Sequence, residues 1–268
     1  MSQSKIVTLS HSTSLHVTIT GIAPPTLIFL HFWGGSSRTF SSLTSHLSPH
    51  FRCITVDFPG WGSSAGPQDP DAYTTKQLAT DIETLIPKLD VQEFVLVGHS
   101  MGGKVAQLIA GRGLVKGLKS VVLIAPAPPT PLELPKEMKE EQLAAYLSPQ
   151  SAEFVTRNVL SSSKLDDETV GMLVKDMMKG NEFAKAAWPA YGMAEDILEE
   201  AKKIDVPVLV VAGELDRVET VQRLRGEVLG NLKGTEMVVV EGKGHLLPVE
   251  ASVEVSRLVG EFVVKVVS

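Results

Sequence analysis

Short, nearly unbroken apolar runs recur along the chain, separated by longer stretches in which apolar residues return every three or four positions. The short runs lie at residues 15–20, 26–31, 52–56, 94–97, 121–124, 206–211 and 237–240. Runs of this length, rich in β-branched and aromatic residues, predict strands. Those between residues 26 and 124 lack the alternation of a half-exposed strand, as expected for strands covered on both faces. The longer periodic stretches, at 40–47, 75–89, 102–114, 218–229 and 249–264, predict helices. Strand and helix alternating in this way predict an α/β fold with a mostly parallel central sheet flanked by helices.

The rhythm breaks once. Ala125-Pro126-Ala127-Pro128-Pro129-Thr130-Pro131 cannot continue a helix and opens a region of different character. Residues 127–196 contain no strand pattern, only short amphipathic segments at 136–147, 152–160, 167–178 and 182–188. They predict an all-helical cap, or lid, inserted into a core made of residues 1–126 and 197–268. Asp166-Asp167-Glu168 suits the positive end of a helix dipole. Met172, Met177 and Met178 cluster on that helix; packing against the main domain is the favoured reading, with pocket lining as the alternative.

Composition narrows the function classes. A chain of 268 residues, 43% hydrophobic and 21% charged, can bury one large core. The net charge of -6 is spread along the chain without a basic stripe, which argues against a nucleic-acid partner. Met1-Ser2-Gln3-Ser4-Lys5 is not followed by the apolar stretch of a signal peptide, and no run approaches the length of a membrane span. The expectation is a soluble, cytoplasmic protein; oligomeric state has no signature here. Cys53 is the sole cysteine and sits in an apolar run, so it is read as a core residue.

The candidate chemistry begins at Gly98-His99-Ser100-Met101-Gly102, directly after the run at 94–97 and before the helical pattern of Val105, Leu108 and Ile109. A strand turning directly into a helix forces its apex residue into a strained conformation, and glycines on either side remove the collisions. Ser100 is therefore the candidate nucleophile. Serine needs a base, and the base needs an orienting carboxylate. Ala212-Gly213-Glu214-Leu215-Asp216-Arg217 places two carboxylates after one strand, and Glu241-Gly242-Lys243-Gly244-His245 places a histidine after the next. Asp216 is favoured over Glu214, which could equally be a solvated charge or a partner for Arg217. His245 is the candidate base. Donors for a developing oxyanion are sought in the Met101 N–H at the helix start and in His31-Phe32-Trp33-Gly34-Gly35, with Trp33 N–H preferred.

The order Ser100, Asp216, His245 is that of the α/β-hydrolase fold, and the chain resembles that superfamily over nearly its whole length. The resemblance rests on His31-Phe32-Trp33-Gly34-Gly35, Asp57-Phe58-Pro59-Gly60-Trp61-Gly62-Ser63-Ser64, Gly98-His99-Ser100-Met101-Gly102-Gly103, Gly213-Glu214-Leu215-Asp216 and Gly244-His245-Leu246-Leu247-Pro248-Val249-Glu250. Within it the chain is most similar to small carboxylesterases and cofactor-free haloperoxidase-like esterases with a helical lid after the sixth strand. This similarity implies an acyl-serine mechanism on a small ester, thioester or lactone, with no metal or organic cofactor. Phe32 departs from the family's usual glycine, which implies a narrower acyl pocket. Phe32, Trp188 and Tyr191 are the candidate substrate-binding aromatics, suited to an apolar group; His99 and Trp61 are read as packing residues. Carbon–carbon hydrolysis and perhydrolysis remain open on the same triad. So does a different class, a hydrolase-fold small-molecule receptor with slow turnover, which no motif excludes.

Overall fold

The structure, a computed structural model, describes residues 2–267. Eight strands form one sheet: β1 (Gln3–Thr8), β2 (Ser14–Thr20), β3 (Thr26–Leu30), β4 (Arg52–Val56), β5 (Phe94–His99), β6 (Leu118–Ile124), β7 (Val208–Gly213) and β8 (Thr235–Val240). Their order is β1-β2-β4-β3-β5-β6-β7-β8. β2 runs antiparallel to both of its neighbours, and all pairs from β4 to β8 are parallel. All seven expected strands are present, with shifted ends. β7 begins at Val208 because Pro207 has no N–H to give a ladder. The strand not foreseen is β1, an edge strand whose residues are largely exposed, so its sequence carries no apolar signature.

Every residue of β3 is buried. Successive side chains point to opposite faces, so Leu27 and Phe29 pack in one core layer while Ile28 and Leu30 pack in the other. Burying such side chains contributes roughly 1.5–3 kcal/mol each. The strand therefore stiffens the loop at its C-terminal end.

Helices form close to their expected positions, with ends set by local chemistry. The helix Thr75–Leu85 is capped by the Thr74 side chain, and Pro87 turns its continuation into a tighter helix at Ile86–Leu89. The helix Met101–Arg112 stops at Gly113, which adopts a left-handed φ of 60°. The expected helix at 249–264 is split into Leu247–Glu250 and Ser252–Val267.

Between β6 and β7 the chain forms helices joined by loops, with no strand among the described residues. Its principal helices are Lys136–Ala144, Pro149–Val155, Asp167–Lys179 and Glu182–Ala190. Side chains of Ser148, Asp166 and Asn181 cap the last three. Where this segment leaves and rejoins the sheet its ends pair: Leu132 N–H donates to Met193 O at 2.8 Å and Ile197 N–H to Pro129 O at 3.0 Å. The Lys104 ammonium donates to Thr130 O and Met193 O beneath the junction, and burial lowers its pKa to about 8. Met177 is fully buried and the three methionines pack rather than line the cavity described below. Cys53 is buried, as read from its apolar run, and burial pushes its thiol up to about 12. No helix among the described residues is long and apolar enough to cross a membrane.

Candidate active site

Strand order determines where the chemistry gathers. The chain passes from β3 to β4 on one side and then to β5 on the other, so the C-terminal ends of β3 and β5 flank a topological switch point, where open α/β sheets bind ligands. His31–Ser37 leaves β3 there, and Ser100 leaves β5 beside it.

Ser100 has φ 54° and ψ −117°, a left-handed conformation at which any side chain is strained. It is over-determined by its backbone bonds. Its N–H donates to Ile124 O at 3.1 Å, and its carbonyl accepts from Gly103, Lys104 and Ala127 N–H groups. A Cβ at Gly98 would lie 2.4 Å from Gly102 O, and one at Gly102 would lie 2.2 Å from Leu30 O, both backbone atoms. Gly102→Ala is therefore expected to destabilise the fold by about 3 kcal/mol, because neither backbone can yield. Urea unfolding checks this; a stability equal to the unsubstituted chain would contradict the close approach.

Asp216 and His245 lie at the ends of β7 and β8. His245 Nδ1 and Asp216 Oδ2 are 2.8 Å apart, and both side chains are buried. Asp216 Oδ1 accepts from Val218 N–H at 2.8 Å and Glu219 N–H at 2.9 Å, so the carboxylate cannot swing away. Glu214, the alternative, sits outside this centre and accepts from Gly242 N–H. Burial pushes His245 down, but the charge and hydrogen bond of Asp216, with Glu219 and Glu250 beyond, outweigh it and raise His245 above its ordinary 6.5.

His245 is also fixed from behind. Its N–H and that of Leu246 donate to Leu160 O at 2.9 and 3.1 Å, and Glu250 Oε2 accepts from Ser162, Ser163 and Gly244 N–H groups. The helical segment thus holds the histidine loop. His99 lies within the cluster: its Nε2 donates to His245 O at 2.8 Å, which fixes the tautomer. Burial, then the neighbouring His245, hold His99 well below 6.5 and neutral. A support for His245 is more than the packing role expected of His99. Trp61 is buried beside Gly180, a packing position.

The loop after β3 is held just as firmly. His31 Nδ1 donates to Phe32 O at 2.7 Å and its Nε2 accepts from Phe58 N–H at 3.0 Å, which requires the neutral ring that burial favours. The Tyr146 hydroxyl donates to Trp33 O at 3.0 Å while its ring lies 4.2 Å from the Trp33 ring. Buried Asp176, on the helix Asp167–Lys179, accepts from Ser36 Oγ at 2.8 Å and pairs with Arg38. Among the described residues neither Trp33 N–H nor Met101 N–H donates to a protein acceptor.

Ser100 and His245 face one cavity of about 610 Å³, with Phe32, Trp33, Trp188 and Tyr146 in its wall. Two of the three expected substrate-binding aromatics, Phe32 and Trp188, are thereby brought together. Tyr191 is a correction. The helix carrying Trp188 ends at Ala190, Tyr191 turns to φ −149°, and its hydroxyl donates to Pro70 O, so it does not line the cavity. The Phe32 ring packs 5.2 Å from that of His99, and a Cβ at Gly35 would meet it at 2.7 Å. Tyr146, Leu160, Asp176, Glu219 and Glu250 were not foreseen. Glu250 stood within a quoted motif without a role, Glu219 is one more acidic residue after Asp216, and Tyr146, Leu160 and Asp176 act through contacts far apart in sequence. No group of three or more His, Cys, Asp or Glu side chains that could hold a metal ion occurs among the described residues.

A mostly parallel eight-stranded sheet with helices on both faces and a strained serine turn after the fifth strand defines an α/β-hydrolase fold. The alpha/beta hydrolase family matches residues 27–258, and the chain belongs to that family. It is an esterase- and haloperoxidase-like member. It is 26% identical over 263 residues to a pimeloyl-[acyl-carrier protein] methyl ester esterase of Yersinia enterocolitica, covering 92% of this chain and 96% of that one. It is also 26% identical over 234 residues to a non-heme chloroperoxidase of Kitasatospora aureofaciens, covering 82% and 84%. A solved esterase from Exiguobacterium antarcticum shares the fold at a TM-score of 0.88 and 19% identity, covering 97% of this chain and 99% of that one.

Proposed function

We propose that this hydrolase cleaves an ester, thioester or lactone bond of a small, largely apolar substrate through an acyl-serine intermediate. The observation that carries the reading is the shared cavity of Ser100 and His245, with His245 bonded to buried Asp216 at 2.8 Å. The Nδ1–H donated to Asp216 leaves His245 Nε2 free to accept a proton. His245 takes the Ser100 proton as Oγ attacks the substrate carbonyl, and Asp216 stabilises the imidazolium. The Trp33 and Met101 N–H groups receive the oxyanion, each such donor being worth about 10²–10³ in rate. Collapse of the tetrahedral species expels the alcohol, which takes the proton from His245. Water, deprotonated by His245, then attacks the acyl-serine, and collapse releases the acid as Ser100 Oγ takes the proton back from His245. Among the described residues no hydrogen bond joins Ser100 Oγ to His245; it forms as substrate seats, as is common for catalytic contacts that tighten in the complex.

In this reading residues 127–196 act as a cap over a core of residues 1–126 and 197–268. The cap supplies Trp188 and Tyr146 to the cavity and, through Leu160, a support for His245. Initial rates on a chain-length series of p-nitrophenyl esters test the proposal; turnover is expected, with a chain-length optimum that sizes the acyl pocket. The rate should fall as pH drops through the pKa of His245, because a protonated base cannot accept the serine proton. The acid limb of kcat/KM is expected to have its midpoint above 6.5. A limb below that value would mean that Asp216 does not govern His245. Lack of turnover on every ester would reject the reading.

A further inference from the structure

Two side chains of the cavity wall offer hydrogen-bond acceptors that the protein leaves unused. Glu219, only 4% exposed, stands three residues beyond Asp216 and shares the wall with Ser100 and His245. Its Oε2 accepts from Arg223 Nη1 at 2.7 Å, and among the described residues no hydrogen bond reaches its other oxygen. Also in the wall, on the helix Lys136–Ala144, the side-chain oxygen of Gln142 is shielded from solvent and has no partner. The free Glu219 oxygen is open to the cavity, whereas the shielded Gln142 oxygen lacks the donor that would offset its desolvation. The rest of the wall is mainly apolar, with Phe32, Met138, Val155 and Trp188 among its residues, alongside the polar Ser151, Glu141 and Arg217.

We propose, resting on the acyl-serine reading, that this cavity selects substrates bearing a hydroxyl group besides the scissile ester, the hydroxyl donating to Glu219 and the Gln142 oxygen remaining an acceptor for a second donor of the substrate. The esters of hydroxy acids and the monoesters of diols share this chemistry. A neutral donor fits better than an ammonium. Arg223 already occupies one carboxylate oxygen, and burial pushes Glu219 up to about 8, so the site does not present an uncompensated negative charge. Arg223 is itself held by Glu227 through its Nε at 3.2 Å, so the arm that fixes Glu219 remains in place when the carboxylate is replaced.

The test compares substrates that differ only by a hydroxyl in place of a methyl. On the acyl side the pair is p-nitrophenyl 3-hydroxybutanoate and p-nitrophenyl 3-methylbutanoate. On the alcohol side it is 2-hydroxyethyl butanoate and propyl butanoate, followed by pH-stat. p-Nitrophenyl 3-aminobutanoate supplies the ammonium. The unsubstituted enzyme is expected to favour the hydroxyl member of one pair in kcat/KM by about tenfold or more. Glu219→Leu should abolish that preference while still hydrolysing the methyl member, which also shows that it folds; Glu219→Gln, which keeps an acceptor, should retain part of it. Turnover without a preference, a preference unchanged in Glu219→Leu, or a preference for the ammonium overturns the inference alone. Absence of turnover on all five substrates overturns the esterase reading and this inference with it.

Discussion

Ser100→Ala is expected to lower kcat on any accepted ester by at least about 10⁴-fold while leaving the fold intact. The magnitude follows from the chemistry: without Oγ there is no acyl-enzyme, and His245 is left to activate water for a direct attack. The fold survives because what holds the turn is its backbone. The bonds to Ile124 and from Gly103, Lys104 and Ala127 are untouched by removing one oxygen, and alanine at φ 54° is no more strained than serine. Side-by-side initial rates and thermal melts check both halves. Equal activity in the two proteins would remove Ser100 from its role; lost activity with a collapsed melting temperature would leave the role undecided, and Ser100→Cys would then serve.

Asp216→Asn carries the second large effect, about 10⁴-fold in kcat. The carboxylate is pinned by two N–H groups through Oδ1 and meets His245 Nδ1 through Oδ2. An amide in this position can present an N–H to the ring, favouring the tautomer with the proton on Nε2, where it blocks acceptance from Ser100. Asparagine also removes the charge that most raises His245, so the residual activity should show its acid limb at lower pH. Glu214→Gln is expected to leave kcat near that of the unsubstituted enzyme, since its carboxylate serves Gly242 on the exposed side. If Glu214→Gln caused the large loss and Asp216→Asn did not, the orienting carboxylate would have been assigned to the wrong residue.

The centre of the sheet was legible because strands such as β3, β5 and β7 are buried on both faces: none has an exposed residue, and nearly every position must be apolar. β1 was not, because an edge strand with exposed faces obeys no such demand. The turn at Ser100 was legible for a different reason. A Cβ added at Gly98 or Gly102 would lie little more than 2 Å from a backbone oxygen, so no other residue fits there. Trp188 could be placed in the cavity from its helix, but Tyr191, one helical turn on, could not, because the helix stops between them. The supports are legible only in three dimensions. Leu160 holds His245 from 85 positions away through its main-chain carbonyl, which any residue would supply, so no sequence pattern marks it. Tyr146 and Asp176 steady the loop after β3 from the helical segment, and each reads in sequence as an ordinary amphipathic helix residue. Glu219 follows Asp216 as one more acidic loop residue until burial and Arg223 distinguish it.

The central claim is that Ser100 forms a covalent bond to the substrate acyl group, and an alkyl fluorophosphonate tests it most directly. Incubation followed by intact-mass and peptide mass spectrometry should show a single adduct, on the peptide containing Ser100, appearing in step with the loss of ester hydrolysis and absent from Ser100→Ala. A protein that continues to hydrolyse esters while unlabelled, or whose label lies on another residue, would contradict the account.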